Sequence, residues 1–231
     1  MGRHSERGGR TSGARADDEP GAARIVDVHD VSVSYGDVAA LRGVSFSAAP
    51  GDFVAVTGHS GAGKTTLVNA IAGIVGLASG AIDLGAGRDR SRDPAAVAII
   101  PQGNGLASVL TAYENVLAPL RARGCSPAEA AERATAALAS VGLGESGTHL
   151  VEELSGGQQQ RAAVARGLAI DAGVLLADEP TSELDHDNRE RILDLLRARA
   201  DAGGIVVMTT HDPEAAERAD RVIVLDDGLV V

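Results

Sequence analysis

Gly58-His59-Ser60-Gly61-Ala62-Gly63-Lys64-Thr65 sets a lysine and a hydroxyl behind spaced glycines, in the pattern of a phosphate-binding P-loop. Glycines let backbone N–H groups curl around phosphate oxygens, and a helix starting near Lys64 adds its positive end. Thr65 offers a hydroxyl to Mg²⁺, with Thr66 beside it in the phosphate-binding set. Lys64 is the only lysine of the chain, although Lys and Arg together number 21. A compact ammonium fits between β- and γ-phosphate, where a planar guanidinium fits poorly. A second stretch, Val174-Leu175-Leu176-Ala177-Asp178-Glu179, ends an apolar run in two adjacent acids. Acids at a strand end are common caps for a following helix. Beside a P-loop they read instead as Asp178 holding the Mg²⁺ shell and Glu179 facing an attacking water. A third stretch, Ser155-Gly156-Gly157-Gln158, opens an Ala/Val/Leu pattern of helical type. Ser155 and Gln158 have capping-box spacing, and two readings stand side by side. One is a well-capped helix whose glycines ease a tight entry, and the other is an anion site made of free N–H groups and the helix dipole.

These residues need elements to bring them together. "ARIVDVHDVSVSY" and "LRGVSFSAA" read as short alternating strands from Arg24 onward, and "DFVAVTG" reads as a buried strand running into the glycine loop. "VAIIPQ" makes another strand with Gln102 at its exit. The block 103–153 shows no strand pattern, and Thr111/Glu114 and Ser126/Glu129 both have capping-box spacing. Beyond the third stretch come the strand "GVLLADEP", a helix from about His186 to Ala200, the strand "GIVVMTTH" and the strand "RVIVLDDG". Continuous apolar strands alternating with helices predict a mostly parallel sheet covered on both faces.

Composition narrows the function. The 44% apolar content of the 231 residues is that of one globular domain, expected over 24–231, and the Gly/Arg/Ser/Asp-rich residues 1–23 read as a disordered tail. A formal net charge of -11 with no basic patch speaks against nucleic acid and bare anionic lipid. The single cysteine, Cys125, cannot form an internal disulfide and fits a reducing compartment. The longest apolar runs are strand-sized, so no direct membrane insertion is expected.

In this order and spacing, "GHSGAGKT", "LSGGQQQR", "LLADEP", "SELD" and "TTH" resemble the nucleotide-binding subunit of an ABC (ATP-binding cassette) transporter, over about residues 24–228. The resemblance implies an α/β fold: a P-loop NTPase core with a mostly parallel sheet, an N-terminal antiparallel β subdomain and an inserted α-helical subdomain at about 103–153. It implies an Mg²⁺-dependent ATPase that binds ATP at the interface of a head-to-tail homo- or heterodimer. Each ATP would lie between Gly58, His59, Ser60, Gly61, Ala62, Gly63, Lys64, Thr65 and Thr66 of one chain and Ser155, Gly156, Gly157 and Gln158 of the other. By the same resemblance Tyr35 stacks on adenine, Gln102 senses Mg²⁺ and the attacking water, Asp185 lies in the loop linking the two sites, and His211 contacts the γ-phosphate. Tyr35 could instead be core, continuing the alternation of Val31 and Val33, and Gln102 and His211 could be ordinary polar strand ends. The implied partners are integral membrane permease subunits, which would hold the chain on the cytoplasmic face of the membrane. An ATP-gated regulatory or assembly module acting on a membrane partner is the alternative.

Departures from the family pattern bear on the subfamily. Leu110-Thr111 followed by Glu114-Asn115-Val116 resembles the lipoprotein-release and macrolide-export cassettes, but the usual preceding proline is missing. Glu152 and Glu153 stand where that group often has basic residues, and "SELD" carries Glu183 in place of a common alanine. With the sequence ending at "DDGLVV", no additional C-terminal regulatory domain is expected.

Overall fold

The computed structural model describes residues 26–85 and 97–231. The expected tail over 1–23 and the strand start at 24–25 lie outside the described residues. In chain order the elements are β1 (Val26–Tyr35), β2 (Val38–Ala48), β3 (Phe53–Thr57), α1 (Lys64–Ile71), β4 (Ser79–Asp83), β5 (Val97–Ile100), α2 (Ala112–Ala122) and α3 (Pro127–Ser140). A short 3₁₀ turn (Val151–Glu153) leads into α4 (Gly156–Ala169), β6 (Val174–Asp178), α5 (His186–Asp201), β7 (Ile205–Thr209), α6 (Pro213–Ala216), β8 (Arg221–Asp226) and β9 (Leu229–Val230).

The strands form two sheets. One is antiparallel, in the order β2-β1-β4; the other has six strands in the order β5-β6-β7-β3-β8-β9, parallel except for the last pair. Successive side chains of a strand point to opposite faces, and in β3, β6 and β7 of the large sheet both faces are buried. Phe53, Ala55, Leu175, Ala177, Val206 and Met208 pack into one core with α2 to α5. Their neighbours Val54, Val56, Val174, Leu176, Ile205 and Val207 pack into a second core with α1 and the antiparallel sheet. The expected strands and the alternation behind them are therefore observed. Three local differences stand out. β4, with the polar sequence Ser-Gly-Ala-Ile-Asp and an exposed face, lacks the apolar alternation that would have marked it. β5 ends at Ile100 rather than carrying on to Gln102, because Pro101 follows. Residues 103–153 do hold one isolated antiparallel bridge, between Thr111 and Leu150.

The caps explain why the helices start where they do. Thr111 Oγ1 accepts from the Glu114 N–H at 3.1 Å while Glu114 Oε2 accepts from the Thr111 N–H at 2.9 Å, a complete capping box. These bonds hold the Glu114 carboxyl below its usual range. Ser126 caps α3 by accepting from the Glu129 N–H at 3.2 Å, but the Glu129 carboxylate turns to Arg133 one helical turn on. Ser155 and Gln158 complete their box, with Gln158 N–H to Ser155 Oγ at 3.3 Å and Ser155 N–H to Gln158 Oε1 at 2.9 Å. No described helix is long and apolar enough to cross a membrane.

Candidate functional site

The parallel strands β3, β6 and β7 end side by side, and their C-terminal ends deliver the loops of the site, as expected for an open α/β sheet. The first loop leaves β3 at Gly58, where φ is 147° and a Cβ would lie 2.2 Å from the carbonyl oxygen of Leu225 in β8. Only glycine fits there. At Gly63, with φ 105°, a Cβ would meet the Ala40 oxygen at 2.6 Å, so the loop is pressed between β2 and β8. Helix α1 then opens at Gly63 with no side-chain cap and no acid in its first turn, whereas α2, α3, α4, α5 and α6 are each capped by a side chain. Uncapped N–H groups at a helix start need another acceptor, and an anion supplies one.

The loop borders a cavity of about 530 Å³. Ser60, Gly61, Gly63, Lys64, Thr65 and Thr66 line it on one side; Gln102, Glu179 and His211 line it on the other. Lys64, largely buried, folds back so that Nζ donates to the carbonyls of Gly58 at 2.7 Å and His59 at 3.1 Å. Thr65 Oγ1 lies 3.3 Å from Gln102 Oε1, which puts two hard oxygen donors together at the mouth of the cavity. Such a pair suits Mg²⁺ rather than a softer metal. His59 points out of the loop. Its Nδ1 bonds to the Ser60 carbonyl at 2.7 Å, and its Nε2 faces Asp226 at 3.2 Å and Asp227 at 3.4 Å. The Ser60 carbonyl and the two carboxylates raise its pKa.

The two acids that end β6 separate in space. Asp178 is buried and accepts from Thr209 Oγ1 at 2.5 Å. Glu179 has φ 52°, a left-handed conformation that costs energy for a residue with a Cβ, and this turns its side chain toward the cavity. Its N–H donates to Thr209 Oγ1 at 3.0 Å, and its Oε2 lies 2.9 Å from His211 Nδ1. Beyond Gln102, three left-handed residues, Gly103, Asn104 and Gly105, shape a loop whose last two carbonyls accept from Arg166 of α4 at 2.8 and 2.6 Å. Burial lowers the Arg166 pKa from its very high ordinary value.

The remaining residues singled out in the sequence stand apart from this cavity. Tyr35 ends β1 at 53% exposure, outside the core. Ser155, Gly156, Gly157 and Gln158 form the start of α4, where a Cβ on Gly156 would lie 2.7 Å from Glu183 Oε2 and one on Gly157 would lie 3.1 Å from the Glu183 carbonyl oxygen. Gly157 therefore lets the backbone of the segment after Glu179 lie against the helix, while a Cβ on Gly156 would meet only the movable end of the Glu183 side chain. Asp185 caps α5, accepting from the Asn188 N–H at 2.9 Å, and this bond lowers its pKa. Ala40 and Ser182 also line the cavity, and Thr209 and Gln160 bond to Glu179; the sequence reading assigned a place to none of these four.

A family model described as "ABC transporter" matches residues 41–182. An uncharacterised ABC transporter ATP-binding protein of Mycobacterium tuberculosis is 42% identical over 210 residues, covering 86% of this chain and 64% of the relative. The methionine import ATP-binding protein MetN of Brucella abortus is 38% identical, covering 90% of this chain and 59% of MetN. The macrolide export ATP-binding/permease protein MacB of Hyphomonas neptunium is 40% identical, over 90% of this chain and 34% of MacB. The chain thus spans about three fifths of the length of MetN and of the mycobacterial relative, and about a third of MacB. Among solved structures, a bacterial ABC transporter cassette determined as a dimer superposes with TM-score 0.82 at 33% identity, covering 89% of this chain and 96% of the cassette. The same cassette in a post-hydrolysis state bound to ADP and Pi superposes with TM-score 0.81. With a family model matching 41–182, relatives about 40% identical over nearly the whole chain and a superposable solved cassette, the chain belongs to the ABC transporter family, as a nucleotide-binding cassette.

Proposed function

We propose that this chain is a Mg²⁺-dependent ATPase that powers transport through separate membrane subunits. The observation that carries the reading is the convergence of Lys64, Thr65, Gln102, Glu179 and His211 on one cavity at the uncapped start of α1. The loop N–H groups and Lys64 bind and orient the triphosphate, and Thr65, Gln102 and Asp178 are the residues that would hold Mg²⁺. Mg²⁺, when bound, neutralises charge on the phosphate oxygens. Glu179 orients the attacking water and takes its proton, and His211, in contact with Glu179 Oε2, would meet the γ-phosphate. Tyr35, exposed at the end of β1, is free to stack on the base.

Ser155, Gly156, Gly157 and Gln158 lie outside their own chain's cavity, so they are assigned to the ATP of a second cassette in a head-to-tail dimer, with Asp185 in the loop between the two sites. The dimeric state of the solved cassette supports this arrangement. MetN is named for import and MacB for export, so the family reading fits either direction of transport. The partners are integral permease subunits, which hold the cassette on the cytoplasmic face of the membrane.

The test is Glu179→Gln. The isosteric amide keeps shape and hydrogen-bond reach but cannot take a proton, so ATP binding should persist while turnover falls at least a hundredfold, about 2.7 kcal/mol of barrier. Turnover within about threefold of wild type, under about 1 kcal/mol, refutes the role of Glu179.

A further inference from the structure

We infer that Gln160, in the second turn of α4, is the positioning residue that holds Glu179 in its working conformation. This inference rests on the catalytic role given to Glu179 above.

A left-handed residue with a Cβ keeps its conformation only where its surroundings over-determine it. At Glu179 the peptide is pinned on both sides. The N–H side is held by Thr209, through Oγ1 at 3.0 Å and the carbonyl at 3.2 Å. The carbonyl side is held most closely by Gln160, whose Nε2 donates to the Glu179 oxygen at 2.7 Å; Ser182 Oγ donates to the same oxygen at 3.2 Å and the Ser182 N–H at 3.4 Å. The rest of the Gln160 amide is also used. Nε2 lies 3.2 Å from Ser182 Oγ, and Oε1 accepts from the Glu183 N–H at 2.8 Å. Gln160 is 5% exposed, so these bonds are made away from water, where an amide left unpaired is costly. One side chain of α4 thereby fixes the whole turn 179–183 against the helix. Gly157, one turn earlier, leaves the room for the backbone of that turn to approach.

Gln160 does not itself line the cavity; of the two lining residues it bonds to, Ser182 and Glu179, only Glu179 has been given a chemical role, so its effect on chemistry runs through Glu179. Removing it takes the shortest bond from the Glu179 carbonyl and leaves only the longer ones from Ser182 in the same turn, so the backbone that aims the carboxylate loses its tie to α4 while Lys64, Thr65 and the loop are untouched. A positioning role of this kind separates kcat from KM.

Two variants and three measurements test this. Gln160→Ala removes all the bonds; Gln160→Glu keeps an acceptor for the Glu183 N–H but presents an oxygen instead of a donor to the Glu179 carbonyl. In both, kcat should fall tenfold or more, with KM and the Kd of a fluorescent ATP analogue within twofold of wild type. The Gln160→Ala/Glu179→Gln double variant should dimerise on adding Mg-ATP to the same extent as Glu179→Gln alone, because the start of α4 is intact. A kcat within threefold of wild type in either variant overturns the inference. So does a KM or Kd that rises in step with the loss of kcat, or failure of both variants to unfold cooperatively, which would make Gln160 a residue of the fold only. If Glu179→Gln turns over ATP like wild type, the function assigned to Glu179 fails and the inference goes with it. If Glu179→Gln is inactive and the Gln160 variants are not, the inference alone fails.

Discussion

Replacing Thr209 with valine keeps the shape of a fully buried side chain and removes one hydroxyl. That hydroxyl serves both acids at the end of β6, donating to Asp178 at 2.5 Å and accepting from the Glu179 N–H at 3.0 Å. The two bonds differ in what their loss costs. The Glu179 N–H has a second acceptor in the Thr209 carbonyl at 3.2 Å, so losing the hydroxyl there costs little. Asp178 is 3% exposed, and a methyl in place of the donor leaves a buried carboxylate oxygen unpaired. Hydrogen bonds to charged groups are worth about 1.5–3 kcal/mol, and the penalty belongs at the upper part of that range because the carboxylate is almost wholly buried. Thr209→Val should therefore destabilise the fold by about 2–3 kcal/mol, a drop of roughly 5–10 °C in Tm for a chain of this size. Thr209→Ser keeps the hydroxyl and deletes one methyl, a loss of about 1 kcal/mol. Equilibrium urea unfolding, read with an unchanged m-value, gives both numbers. A valine variant as stable as the serine variant would mean that the hydroxyl carries no weight at the strand end.

Three further outcomes are expected. The Asp220 carboxyl is held below its usual range by the Arg197 guanidinium at 2.8 Å and by the Phe53 N–H at 2.8 Å. The stabilisation it gives is present above its unfolded pKa of 3.8 and is lost as pH falls through the lower folded value, so wild type should lose more stability between pH 5 and pH 3 than Asp220→Asn in matched urea titrations. Gly58→Ala must place a Cβ 2.2 Å from the Leu225 carbonyl, so it should cost at least about 3 kcal/mol and abolish nucleotide binding; a soluble variant with wild-type Tm and ATP affinity would contradict the loop geometry. Since Lys64 is the only lysine, an amine-reactive reagent has the α-amino group and Lys64 as its primary amines, and peptide mass spectrometry should find Lys64 alone protected by saturating Mg-ATP. Equal labelling of Lys64 with and without nucleotide would remove the ATP from the loop.

What could be read in advance was whatever is written in short range. The Thr111 and Ser155 boxes are four-residue signals, and both were found as spaced. β3, β6 and β7 announce themselves by runs of apolar residues, because both of their faces are buried. β4 exposes most of its side chains, so nothing in its sequence distinguishes it from a loop until β1 pairs with it. The same limit applies in the site. Three glutamines follow Gly157, and at about 100° per residue they point three ways. Gln158 returns to the Ser155 N–H, Gln159 reaches the carbonyls of Val151 and Leu154 at 3.0 Å each, and only Gln160 turns inward to Glu179. Nothing local tells the third from the first two. The left-handed φ of Glu179 is likewise invisible in a strand-like run, since the peptide is held by Thr209 and Gln160, thirty and nineteen residues away in sequence.

The seat of the phosphate loop sets an order on how this chain can be made. Gly63 has the Ala40 carbonyl beside it and Gly228 within reach, the Gly228 N–H donates to the Ala62 carbonyl at 3.0 Å, and the Arg42 N–H donates to the Gly228 carbonyl at 2.8 Å. The turn between β8 and β9 thus joins the loop to β2, and β8 supplies the carbonyl that fixes Gly58. At about 5–20 residues per second, a ribosome delivers that turn on the order of 10–30 s after Lys64. Until then the central strand β3 lacks its β8 neighbour and the loop has no wall to close against, so the nascent cassette must wait, with its nucleotide site unformed, until the turn between β8 and β9 has been made. Closing contacts of such long sequence separation carry the full entropy of loop closure and slow the final folding step.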